Sequence, residues 1–125
     1  TLLACGPTCV RNSLLAHDDL LSTYGVVVRV VDLYCLSPVD RFTVLSCFTE
    51  TRFLVTVENH GIVGGVGDLV SSICPVECAL ASAGVHLSGT HKELERDNKH
   101  DVWSIVTTVV KILSKEQGPV TALLL

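Results

Sequence analysis

At 125 residues the chain has room for one domain with a substantial core, and hydrophobic residues supply 48% of it against 18% charged. The net charge of −4 argues against a nucleic-acid binder, which would want a basic stripe. No apolar run reaches the roughly 20 residues that a membrane span needs, because Arg29 and Asp32 interrupt the best candidate, Val26–Leu33. So low a charge content suggests a surface that is partly covered by partners. There is no methionine, even at position 1. The expectation is a single domain, 1–125, taken from the C-terminal end of a longer polypeptide.

In chain order, Thr1–Cys5 reads as a short buried strand. Gly6-Pro7-Thr8 opens a helix with Thr8 as its expected N-cap, and Val10, Leu14 and Leu21 follow at helical spacing to a stop at Gly25. Val26–Leu33, β-branched and nearly continuous, predicts a strand covered on both faces. After Ser37-Pro38, either Asp40 or Ser37 can cap a helix running through Phe48. Phe53–Val57 is a third strand, and a helix is predicted from about Gly67 to Ile73, ended or kinked by Pro75. The register of Val76–Ala83 stays open, and Val85-His86-Leu87 is a candidate fourth strand. Ser88–His100 reads as polar and exposed, with one helical turn at Lys92–Glu95.

Val102–Leu113 sets two signals against each other. Its β-branched content favours a strand, but Ser104, Thr107, Thr108, Lys111 and Lys115 fall on one helix face. Val102, Ile105, Val106, Val109 and Leu113 form the opposite face, and Asp101 can cap it. Period outweighs propensity, and a helix is predicted. Strands alternating with helices give an α/β, Rossmann-like three-layer domain: a mostly parallel sheet with helices on both faces.

Chemistry is concentrated in TVENHGIVGGVGDLV, Thr56–Val70. Glu58 and His60 stand at a strand end, two apart, where an extended chain points both to one side. An acid/base pair is conceivable there, but no third group is nominated to orient the base. Gly61, Gly64, Gly65 and Gly67 spell neither a dinucleotide nor a phosphate-loop motif. They could offer amides to an anion, but close backbone approach or positive φ is the favoured reading. His17, His91 and His100 read as surface residues, and His86 as either a buried imidazole or a ligand. Cys5/Cys9 and Cys74/Cys78 make two C-x3-C pairs without the short zinc-knuckle spacing. The six cysteines are read as structural thiols in preference to a metal site or disulfides, which places the chain in the cytoplasm.

VRVVDLYCLSPVDRFTVL followed by FLVTVENHGIVGGVGDLVSSI resembles the C-terminal domain of animal-type transketolases and transketolase-like proteins. The matching positions are Asp32, Pro38, Asp40, Glu58, His60, Gly64, Gly65 and Gly67, with Ser88-Gly89, Glu93-Leu94 and Ile105-Val106 downstream. Asn59 departs from the acidic residue that the family carries there. The resemblance implies a structural and regulatory domain of a thiamine diphosphate-dependent transferase that moves two-carbon ketol units between sugar phosphates. It implies no catalytic residue and no cofactor or metal ligand in this domain. Thiamine diphosphate and a divalent metal (Mg or Ca) would sit in the preceding domains of a homodimer. Glu58, His60, Gly64, Gly65 and Gly67 would then form a loop that meets a neighbouring domain. Two alternatives stand beside this: a docking domain like that of the 2-oxo acid dehydrogenase β subunit, and an independent phosphometabolite-binding module.

Overall fold

A computed structural model describes residues 1–84 and 88–117. Its elements are β1 (Leu2–Cys5), α1 (Pro7–Tyr24), β2 (Val30–Asp32), α2 (Arg41–Glu50), β3 (Val55–Gly61), α3 (Val66–Ser71), β4 (Cys78–Ser82), α4 (His91–Asp97) and α5 (Val102–Gln117). The four strands form one parallel sheet in the order β2-β1-β3-β4. Strand alternation divides the core in two. Leu2, Ala4, Val55 and Val57 face Cys9, Ala16 and Leu20 of α1 and Ile105, Val109 and Ile112 of α5. Leu3 and Leu54 face Val44 and Cys47 of α2 and Val66 and Val70 of α3. The result is the three-layer α/β architecture that the alternation of elements predicts.

Local chemistry explains the element boundaries and several departures from expectation. Gly6, at φ 94°, takes the N-cap position of α1 with Pro7 behind it, so Thr8 lies inside the first turn. Proline lacks the amide that a cap would satisfy, so it enters the first turn at no hydrogen-bonding cost. Gly25 closes the helix in the left-handed conformation as expected. The predicted strand over Val26–Leu33 shrinks to Val30–Asp32 at the sheet edge, where Val27 is exposed. Val30 packs against one core cluster and Val31 against the other, so both faces are covered as expected, but with a strand on one edge only these residues stay half-buried. Asp40 caps α2 by accepting the Thr43 amide at 3.0 Å.

β3 continues past Val57 to Gly61, so Glu58 and His60 lie inside the strand rather than beyond it. The fourth described strand is Cys78–Ser82; the candidate strand at Val85-His86-Leu87, with His86, and the Ala122–Leu125 tail lie outside the described residues. α5 is helical as its periodicity requires, and Asp101 accepts both the Ser104 amide (3.2 Å) and its hydroxyl (2.5 Å).

The stretch 88–100 differs most from its sequence reading. Thr90 and Glu93 form a capping box, and α4 runs for two turns. Glu95 and His100 are buried. The Glu95 carboxylate accepts from Arg11 (3.3 Å), Asn12 (3.1 Å) and His91 (3.0 Å), while the Asn12 amide also donates to the His100 carbonyl at 3.0 Å. One carboxylate thus fastens α4 to α1. Burial holds the His100 imidazole below its ordinary pKa, against the opposing influence of Glu95 and Asp101. Because the folded value is depressed, unfolding takes up a proton as pH falls through the ordinary imidazole range. Stability is therefore full above about pH 6.5 and declines below it. Denaturant midpoints measured from about pH 8 to about pH 5 should show this decline, and His100→Phe should flatten it.

The candidate interface loop at the carboxyl edge of the sheet

β2 and β3 flank β1 on opposite sides, so the switch point of the sheet lies outside the carboxyl ends of β1 and β3. In open α/β sheets ligands are taken there. In this chain the crevice is filled by its own side chains. Cys9, in the first turn of α1, is fully buried, and burial foremost pushes its thiol up to about 11. Burial, aided by Glu58 and Asp32, raises the Cys5 thiol as well. Such thiols stay protonated at neutral pH and make poor nucleophiles and poor metal ligands. All six cysteines are free.

Glu58 shares the side of β3 that carries Leu54 and Thr56 and is 1% exposed. Its Oε2 accepts the Val66 amide at 2.5 Å and its Oε1 the Gly67 amide at 2.8 Å. These are first-turn amides of α3, which have no acceptor within the helix. Asp68 takes the Gly64 amide at 2.6 Å. The anion that this glycine turn was suited to receive is therefore the carboxylate of its own strand. Charge-assisted bonds from a helix N-terminus are among the stronger protein hydrogen bonds.

The glycines follow from this geometry. A β-carbon on Gly65 would collide with Glu58 Oε2 and the Gly61 carbonyl, and one on Gly67 would stand 2.8 Å from the Ala79 β-carbon and 3.3 Å from Glu58 Oε1. Gly64 meets nothing but sits at φ 73°. Close approach governs two of the predicted glycines and backbone conformation the third.

Glu58 and His60 are not brought together. The pairing of β3 with β4 shifts register between Val57 and Gly61, and within that irregularity Glu58 is buried while Asn59 and His60 are exposed. Ile62 and Val63 follow, Val63 being 88% exposed. The loop thus has a buried carboxylate root and an exposed, partly apolar tip. Among the described residues no three His, Cys, Asp or Glu side chains are placed to hold a metal ion. No described helix is long and apolar enough to cross a membrane. The Asn12–Glu95–His100 cluster escaped the sequence reading, although Asn12 shares the buried helical face of Cys9, Ser13, Ala16 and Leu20. That spacing was the available signal.

Substitutions at the loop should rank by mechanism. Glu58→Gln keeps one acceptor and turns an NH2 toward an amide, costing about 1–3 kcal/mol of unfolding free energy in denaturant titration. Gly64→Ala should cost only about 1 kcal/mol, the left-handed penalty. Gly65→Ala and Gly67→Ala should each exceed it, and in the Glu58→Gln background Gly65→Ala should lose its extra cost only where the side chain can withdraw.

Comparison with known proteins agrees with this geometry. Residues 1–90 match the family model described as transketolase, C-terminal domain. The chain is 32% identical over 121 residues to transketolase-like protein 1 of Bos taurus, covering 89% of this chain and 20% of that protein. It is 31% identical over 121 residues to the transketolase of Rattus norvegicus, covering 92% and 19%. A solved structure described as a split-gene transketolase, inactive β4 tetramer, superposes with a TM-score of 0.81 at 26% identity, over 90% of this chain and 38% of that one. The chain spans about a fifth of the length of these two relatives. With its parallel β2-β1-β3-β4 sheet and a family match over residues 1–90, the chain belongs to the transketolase C-terminal domain family.

Proposed function

We propose that this chain serves as the C-terminal structural and regulatory domain of a transketolase-like transferase that moves two-carbon ketol units between sugar phosphates. Thiamine diphosphate and its divalent metal belong, in this reading, to preceding domains of the same polypeptide, assembled as a homodimer in the cytoplasm. The role of the present domain is to meet those domains through the loop built on Glu58, Gly64, Gly65 and Gly67, with His60 at its tip.

One observation carries this reading: the Glu58 carboxylate occupies the amides that an anionic ligand would need. The residues at this edge do not fit a diphosphate. The two α3 amides and the Gly64 amide are engaged by carboxylates, and the adjacent thiols are held protonated. The same occupancy weighs against an independent phosphometabolite module. Exposed Asn59, His60, Ile62 and Val63 give the loop the polar and apolar mixture of an interface.

Calorimetric titration of the folded chain with thiamine diphosphate and Mg should give no saturable heat, and the chain alone should show no ketol transfer. Specific binding to these 125 residues would sink the proposal. Recovery of an acyltransferase subunit by the immobilised chain would move the assignment to the 2-oxo acid dehydrogenase type of docking domain.

A further inference from the structure

We infer that the open amino end of the α1–α5 side of the core is a docking groove, and that its occupant is this chain's own segment 120–125. The groove lies at the opposite edge of the sheet from the Glu58 loop and involves none of that loop's residues. A cavity of about 300 Å³ opens there. The connection from α1 to β2 lines it with Val26, Val27 and Val28, and the later turns of α5 with Val109, Ile112 and Leu113. Leu2 and Val55, the first residues of β1 and β3, complete the apolar wall. Val27 stays 75% exposed. A cavity of roughly 150 Å³ already holds a benzene-sized apolar guest, so this one has room for leucine side chains.

The polar groups beside the cavity are matched to one another. Arg29 holds Glu50 at 2.7 Å, the Thr51 hydroxyl donates to the Cys47 carbonyl at 2.8 Å, and the Thr1 amine donates to the Phe53 carbonyl at 2.7 Å. The Arg52 guanidinium stands over the Phe53 ring, 5.8 Å from its centre. With these groups so engaged, the groove selects an occupant that is apolar and uncharged.

Such a segment begins one turn further along the chain. α5 starts near the carboxyl edge, where Asn12 holds the His100 carbonyl, and runs to the amino edge, where Ile112 and Leu113 line the cavity with Thr1. The helix ends at Gln117, about 6 Å of rise beyond Leu113. The sequence continues Gly118-Pro119-Val120-Thr121-Ala122-Leu123-Leu124-Leu125. Glycine followed by proline suits a reversal, and the six residues after them carry one hydroxyl and no charged side chain. Eight residues reach as far as about 26 Å, several times the distance back to Leu113. Tethering to the very helix that lines the groove gives the segment an effective concentration on the order of millimolar, against which a free apolar molecule competes poorly.

In the full chain, methyl-labelled at Ile, Leu and Val, nuclear Overhauser spectra should connect the methyls of Leu123, Leu124 and Leu125 to those of Val27, Ile112 and Leu113. Leu123→Asp combined with Leu124→Asp should remove these contacts, shift the amide resonances of residues 26–29 and leave those of 64–67 in place. Val27→Asp, at an exposed position, should raise amide hydrogen exchange across residues 123–125 by about tenfold or more, with unchanged far-ultraviolet circular dichroism. Tail methyls that touch none of the groove residues would overturn the inference, as would contacts confined to Ile62 and Val63 or to the outer face of α2. Groove contacts seen only between labelled and unlabelled chains in an isotope-filtered mixture would overturn it equally, because the occupant would then come from another molecule.

Discussion

The carboxylate of Glu58 is the joint on which the carboxyl edge of this domain depends. It sits at the end of the central part of β3 and holds the first turn of α3, tying one layer of helices to the sheet by two charge-assisted bonds. Because it is buried, its neighbours must be small and its bonds complete. The glycine at 65 is therefore a consequence of the carboxylate, and the one at 67 answers first to Ala79 of β4 and then to Glu58. A loop that looks equipped to capture an anion already contains one. A covalently attached anion needs no affinity, confers no ligand dependence and leaves the turn permanently ordered.

A second buried carboxylate repeats this arrangement at the other end of the chain. Glu95 gathers Arg11, Asn12 and His91 and fixes α4, which buries little else, against α1. Buried ionised groups are a poor source of net stability but a strong source of definition. Glu58 and Glu95 set the positions of the two short helices, α3 and α4, whose few turns could not specify a docking angle by apolar packing alone. The longer helices α1 and α5 dock on the sheet by side-chain periodicity.

That division also marks what was legible in the sequence. Period decided α5 correctly against its β-branched composition, because sixteen residues give a face enough repeats to be seen. The parallel sheet followed from the alternation of elements. The extent of β2 was not legible: nothing in a run of valines says which strand lies at an edge. β3 was cut short because its last residues are polar, and polar residues in a strand read as a loop until a buried partner is known. Glu58 was singled out as an interface residue, but the amides it holds lie eight and nine residues ahead, beyond any local pattern. His100 was read as exposed because its sequence neighbours are charged, while Asn12 of α1, which holds its carbonyl, lies 88 residues earlier in the chain.

The position of β1 has a kinetic consequence. It is the earliest in the chain of the four strands of this sheet, yet it ends up in the interior, hydrogen-bonded on one side to β2 and on the other to β3. Its second neighbour is synthesised only after α1, β2 and α2 have been made. Until then a fully apolar strand, Leu2-Leu3-Ala4, has one open edge in the growing chain. Non-local parallel pairing of this kind is slow, and it exposes the nascent chain to wrong partners. In the finished domain α1 and α2 cover the two faces of that strand, so its exposure ends only when both helices have docked.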